Sequence, residues 1–354
     1  MAILSLLKAE VKGLFPAYFA LVMSTGIVSI AAHLLGFPAI SVALFWLNNL
    51  LFLVMLAMLL CRVVFYFSAF AEDIQSHAKG AGFLTLVAAA CILGIQHILL
   101  KENYAVAQAL WYLALVLWII LIYTFFINIT TKKEKPTLEH GINGIWLVAV
   151  VATQAVAILG TYLAHHLPFP PERVVFLSLC GYMLGCMLYI ILITLIFYRL
   201  TFFPMKAEAF APPYWINMGA VAISTLSGAT LIMNINEITG LQDFIPFVKG
   251  FSLFFWVTGT WWIPIIVVLG IWRHLYNHFP IFYHPQYWGM VFPLGMYTVC
   301  TWRLAQALEL PYLQLIPAYF IYIAFTAWLV AFLGLCFNLV KLFSPKRNTE
   351  TIRT

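Results

Sequence analysis

Leu110-Trp111-Tyr112-Leu113-Ala114-Leu115-Val116-Leu117-Trp118-Ile119-Ile120-Leu121-Ile122 carries no charge, and it lies inside a longer apolar segment, 104–130. In hydrocarbon its backbone N–H and C=O groups find partners only in one another, so in a bilayer it is a helix. About 20 helical residues cross the ~30 Å apolar slab, which the segment exceeds. Leu50–Leu60 and Leu188–Ile196 read the same way. Working outward, ten such segments fill the chain: 14–36, 40–67, 82–100, 104–130, 143–164, 173–201, 212–234, 248–275, 286–308 and 313–343. The fold class expected is therefore all-α integral membrane, with ten transmembrane helices.

Composition agrees. Of 354 residues, 64% are hydrophobic and 8% charged, against roughly 25% charged in soluble domains. The six cysteines lie in apolar segments without metal or disulfide spacing and read as small core hydrophobes. No linker separates domains. The expected organisation is a cytoplasmic tail 1–13, one membrane domain 14–343 and a cytoplasmic tail 344–354.

Charge sets the orientation. With the N-terminus in the cytoplasm, fourteen of the eighteen basic residues fall on the cytoplasmic side. Only Lys101, Arg173, Lys249 and Arg303 fall on the other. This asymmetry follows the positive-inside rule and requires an even number of spans. It points to a multi-pass cell-membrane protein with both termini cytoplasmic. Basic charge lies in short loops and makes no nucleic-acid surface.

Pro-x-Tyr-aromatic opens spans one, seven and nine at Pro16–Phe19, Pro212–Trp215 and Pro285–Trp288. Proline is tolerated in a first helical turn, where its missing N–H has no partner anyway. The pattern suggests a repeated hairpin; aromatic residues of the headgroup layer also account for it. A fourth match, Pro317–Phe320, opens an even span.

All twelve acidic residues fall in loops or at span ends. Cation sites and proton relays need carboxylates at membrane depth, so the chain reads as a pathway for anions. Odd spans hold most of the polar residues, among them Ser24, Thr25, Ser29, Thr153, Gln154, Ser224, Ser227 and Thr298; even spans are more uniformly apolar. Two layers follow: odd helices inside around a polar axis, even helices outside against lipid. Small and hydroxylated residues equally serve tight helix packing and i−4 back-bonding. His274 and His278 have the i, i+4 spacing of a metal pair if the helix continues. No third ligand is placed, so no metal is expected. There is no nucleotide-binding glycine loop and no catalytic grouping; neither cofactor nor enzyme activity is expected.

Four stretches carry a family resemblance. They are Phe15-Pro16-Ala17-Tyr18-Phe19-Ala20 with Met23-Ser24-Thr25-Gly26; Trp146-Leu147 with Val150-Val151-Ala152-Thr153-Gln154; Thr260-Trp261-Trp262-Ile263-Pro264 running to Trp272-Arg273-His274; and Tyr287-Trp288-Gly289-Met290-Val291-Phe292-Pro293-Leu294-Gly295-Met296-Tyr297. Together they resemble the tellurite-resistance/dicarboxylate transporter family, which includes plant slow anion channels, yeast malate permeases and sulfite efflux pumps. The resemblance implies five helical hairpins with quasi-five-fold symmetry, odd helices walling a central pore, and a homotrimer with one pore per protomer. It also implies a phenylalanine plug in span nine, a position matched by Phe292 beside Pro293. The pore-lining candidates are then Thr25, Gly26, Ser29, Thr153, Gln154, Gly160, Ser224, Ser227, Gly228, Gly295 and Thr298. Long phosphorylatable tails are lacking, so kinase gating is not expected and the short tails look like those of a bacterial member.

The function expected is passage of small anions (chloride, nitrate, sulfite or C4-dicarboxylates) through each protomer. A proton-coupled C4-dicarboxylate carrier or a sulfite or tellurite-related efflux permease is the alternative. A lipid-modifying enzyme would have to work through His274, His278 and His284, the titratable residues nearest an interface.

Overall fold

The computed structural model describes residues 2–235, 238 and 240–343. The tail 344–354, with Lys346, Arg347, Glu350 and Arg353, and the loop acid Glu237 lie outside the described residues. Among the described residues there is no strand.

Nine helices among them are long and apolar enough to cross a membrane. They are α1 Pro16–Leu34, α2 Pro38–Phe65, α3 Gly80–Lys101, α4 Tyr104–Thr131, α5 Gly144–Tyr162, α6 Pro171–Phe202, α7 Pro212–Ile235, α8 Gln242–Tyr276 and, after the next helix, α10 Pro311–Leu342. The helix between, α9 Trp288–Ala307, is not among the nine. Gly289, Pro293, Gly295, Thr298, Thr301 and Arg303 dilute its apolar character, and it is buried along most of its length. A helix screened from lipid by neighbours has no need to be greasy all round.

Packing sorts the helices into two layers. α1 packs on α3, α3 on α5, α5 on α7, α7 on α9, and α9 returns to α1, closing a ring. Each even helix packs on the odd helix before it, giving five hairpins. Eighteen-residue stretches of α1, α3, α5 and α7 are 83, 83, 94 and 94% buried. The corresponding stretches of α2, α4, α6, α8 and α10 are 28, 17, 39, 22 and 22% buried. The odd-inside, even-outside order expected from polarity is the observed one.

Every odd helix begins with a 3₁₀ turn: Pro16–Phe19, Gly80–Leu84, Gly144–Leu147, Pro212–Trp215 and Pro285–Tyr287. These turns also touch in a closed ring. The proline motif therefore marks three of five equivalent positions, and glycine opens the other two. Pro317–Phe320 lies inside α10 and is not part of this set. The ring depends on close backbone approach. A Cβ built on Gly144 falls 2.6 Å from the carbonyl carbon of Pro213. Gly144→Ala should therefore lower the midpoint of thermal unfolding, at a cost of about 1–3 kcal/mol, as for other overpacked sites. A melt in detergent checks this.

Three outer helices end on a buried arginine that bonds backbone carbonyls just ahead of its own hairpin's first helix. Arg62 of α2 donates to Lys12 O and Leu14 O at 3.1 and 2.9 Å. Arg199 of α6 donates to Glu139 O at 2.7 Å, and Arg273 of α8 to Phe210 O. Each latch ties the end of a hairpin to its beginning and pairs carbonyls that no helix satisfies. Arg62 also reaches Ala69 O and forms a 2.6 Å ion pair with Asp73, which Lys79 contacts at 2.8 Å.

The segment expected as a tail contains a helix, Ala2–Lys12. His274 and His278 do not share a helix face: Trp272–Tyr276 is a π turn and His278 has φ 51°. No group of three potential metal ligands occurs among the described residues. Burial holds His284 below the ordinary imidazole range. Its Nδ1 then accepts from Gln286 N–H at 3.2 Å, capping the turn that leads into α9.

Candidate functional site

Two small cavities lie on the axis of the odd helices, and every odd helix lines both. The first, about 20 Å³, sits among the N-terminal halves and is bounded by Met23, Thr85, Val151, Ile216, Gln286 and Phe292. The second, about 10 Å³, sits among the C-terminal halves, with Ile27, Ile92, Ala155, Ile223, Met296 and Arg303 on its wall. The five helices therefore run parallel.

The lining residues form helical stripes. On α5 they are Ile145, Val148, Val151, Ala155, Ile158 and Tyr162; on α9 they are Gln286, Gly289, Phe292, Met296, Val299 and Arg303. Steps of three and four keep one face of a helix turned the same way. α1 repeats the pattern with Ala17, Ala20, Met23, Ile27 and Ile30. On α3 and α7 the stripe positions between the two cavities are Ala88 and Ala220, both fully buried. Phe292, 2% exposed, stands at that level. A cavity needs roughly 10–15 Å³ to admit one water. At these two cavities the axis is thus apolar and nearly dry, with room for about one water in each.

Electrostatics favour negative charge at both ends. Parallel helices present the positive ends of their dipoles together, here around the larger cavity. At the opposite mouth Arg303 is half-buried, and its Nη1 donates to Gln306 Oε1 at 3.1 Å. It forms no ion pair among the described residues. No carboxylate lines either cavity.

Phe292, singled out in the sequence, is on the axis. Pro293 turns to the neighbouring wall helix, where its ring lies 2.7 Å from a Cβ built on Gly219 of α7. The predicted hydroxyl wall is placed elsewhere. None of its residues lines these two cavities. Thr25 donates to Leu21 O at 2.9 Å and accepts from Trp328 of α10 at 3.1 Å. Thr153 donates to Ala149 O at 2.8 Å and accepts from Trp118 of α4 at 2.9 Å. Ser29 bonds Ser41 O of α2 at 2.8 Å. Gln154 bonds Tyr182 O of α6 at 3.0 Å and Ser224 of α7 at 3.2 Å. Ser224 and Thr298 back-bond to Ala220 O and Leu294 O, at 2.8 and 3.0 Å. Ser227 is buried without a bonded partner among the described residues.

The glycines are likewise contact points. Gly26 faces Asn48 and Ile92, Gly160 faces Ser178 and Trp111, Gly228 faces Ser252 and Tyr182, and Gly295 faces Ile27 of α1. Polarity on the odd helices thus serves the seam between layers. Trp256 of α8 bonding Thr301 of α9 at 3.0 Å is a third indole–threonine link of the same kind. The axial aliphatic stripes and Arg303 were not expected. Stepping by three and four from Phe292 along α9 reaches Met296, Val299 and Arg303, so that signal was present.

Residues 13–336 match the family model described as voltage-dependent anion channel. The chain belongs to the voltage-dependent anion channel family. The match covers α1 to α9 and most of α10, so the four quoted stretches pointed to the right family. Membership assigns the chain to anion transport across a membrane, in a family of channels and transporters. Among its relatives, an uncharacterized transporter of Methanocaldococcus jannaschii is 27% identical over 303 residues, covering 83% of this chain and 86% of its own. A sulfite efflux pump of Trichophyton rubrum is 22% identical over 342 residues, covering 91% and 90%. An uncharacterized membrane protein of Mycobacterium tuberculosis strain H37Rv is 34% identical over 152 residues, covering 43% and 77%.

Proposed function

We propose that the protein passes small anions along the axis of its odd helices, with Phe292 as the ring that closes the path and Pro293 seating it against α7. One observation carries the reading. Largely apolar stripes of all five odd helices converge on one line, where Phe292 bounds one small cavity and Met296, one turn on, bounds the other. Apolar constrictions gate by excluding water, and charge at the mouths draws ions toward them. In this reading α9 is the tenth span, shielded from lipid by the ring. Fourteen of eighteen basic residues on one side support cytoplasmic termini in a cell membrane. Each protomer of a homotrimer holds its own path.

The test is flux of chloride, nitrate, sulfite, malate and succinate into proteoliposomes, with and without a pH gradient. Sulfite is the first to try, given the fungal relative. Saturation and dependence on the gradient would mark a coupled carrier; gradient-independent flux marks a channel. Absence of flux for every anion, with Phe292→Ala also silent, removes the reading.

Arg303 offers a second check. Arg303→Glu reverses a charge on the path, and an effective shift of about 1.4 kcal/mol in the barrier corresponds to tenfold in rate. Anion flux should fall by about tenfold, while Arg303→Lys stays near wild type. Equal flux in the wild type and Arg303→Glu would show that this guanidinium does not act on the ion.

A further inference from the structure

An opening far larger than the two axial cavities lies off the axis. A crevice of about 570 Å³ lies between α4, α5 and α6, walled by Trp111, Leu115, Trp118, Val156, Leu177 and Cys180. Its depth is apolar. The two indole N–H groups in it are already engaged inward, Trp111 with Val156 O at 3.1 Å and Trp118 with Thr153 Oγ1 at 2.9 Å. On α6 the lining runs from Arg173, in the first turn, to Leu184. Eleven residues at 1.5 Å each span roughly 16 Å. That is about half the ~30 Å apolar slab, the depth of one leaflet. The Arg173 guanidinium is exposed and makes no side-chain hydrogen bond or ion pair among the described residues. The crevice thus has a free cation where headgroups lie and an apolar slot as deep as one acyl chain.

We infer that this crevice binds one anionic glycerophospholipid, its phosphate on Arg173 and one acyl chain along α5. The occupant is a lipid because the slot opens sideways from the helix bundle, its charge complements a phosphate, and its length matches a leaflet. The floor is formed by Thr153, Val156 and Ala157, behind the axial Ala155 and Ile158. The lipid therefore props the outer side of the innermost wall. The inference depends on membrane insertion alone and not on which ion passes.

Native mass spectrometry of the purified full chain, with phosphatidylglycerol or phosphatidylcholine added, tests it. A basic residue at the membrane surface gives about a fivefold preference for an anionic headgroup. The wild type should retain phosphatidylglycerol about fivefold better than phosphatidylcholine. Arg173→Gln should retain both equally. Cys180→Trp and Leu115→Trp fill the slot from opposite walls, and each should lower retained lipid at least about fivefold. If one fails to fold, the other gives the answer. Maleimide labelling of Cys180 in the wild type, located by peptide mass spectrometry, needs no variant, and added phosphatidylglycerol should slow it by a similar factor. Unchanged lipid retention in the filled variants, or unprotected Cys180, overturns the proposal. So does dissociation of an oligomer by the tryptophans with lipid retention intact, since the crevice is then an interface between copies.

Discussion

Phe292→Ala should raise anion flux in proteoliposomes by about ten- to hundredfold. The figure corresponds to a barrier lowered by about 1.4–2.8 kcal/mol. The ring is 2% exposed and bounds the larger axial cavity, while Met296, one turn on, bounds the smaller. Removing it joins the two, and the small Ala88 and Ala220 at that level leave nothing to refill the gap. The same change costs about 3–5 kcal/mol of stability as a core truncation, so flux must be normalised to folded protein. Phe255→Ala is the control. Phe255 is fully buried on α8 beside Tyr189 and off the axis, so its loss costs similar stability and should leave flux at the wild-type level. Phe292→Leu should fall between. If both alanine variants raise flux equally, the increase is leakage from a loosened bundle and Phe292 is no gate.

Arg62→Ala should cost about 3–5 kcal/mol, the usual penalty for removing one partner of a buried ion pair. Arg62 is 2% exposed and bonds three backbone carbonyls besides Asp73. Its loss leaves Asp73, 9% exposed, with Lys79 as its remaining ionic partner and strands the carbonyls of Lys12, Leu14 and Ala69. The α1 turn at Pro16–Phe19 and the α3 turn at Gly80–Leu84 then lose a common anchor. The expected readout is a sharply lower melting midpoint and reduced recovery of folded protein. Arg62→Lys should rescue only part, because an ammonium cannot present the guanidinium's fork. A melting midpoint unchanged by Arg62→Ala would show the latch to be incidental.

The sequence was most legible where one physical rule acts alone. Uncharged runs such as Leu110–Ile122 must be helices in lipid, and a greasy even helix beside a polar odd one separates outside from inside. It was least legible where one residue type serves two purposes. Thr25 and Thr153 were read as facing an ion path, but each hydroxyl instead takes an indole N–H from the outer layer. An outer-span tryptophan in hydrocarbon must place its N–H somewhere, and that requirement was the missed clue. Ile27, Ile92 and Ile223 looked like ordinary packing residues and line the axis. Phe292 was recognised through the family motif, since nothing in its composition separates it from Phe255.

By itself, the amino-acid order determined the membrane, the helices, the layer each helix occupies and the family. Those depend on the transfer of side chains to lipid, a property carried by each segment independently. The face each helix turns to the axis, the closed ring of 3₁₀ turns, the arginine latches and the lateral crevice were decided only in the tertiary structure. They depend on which of several apolar faces meets which neighbour, and hydrocarbon distinguishes little between one apolar face and the next. Close packing and paired hydrogen bonds break that degeneracy, and both exist only once the five hairpins are together.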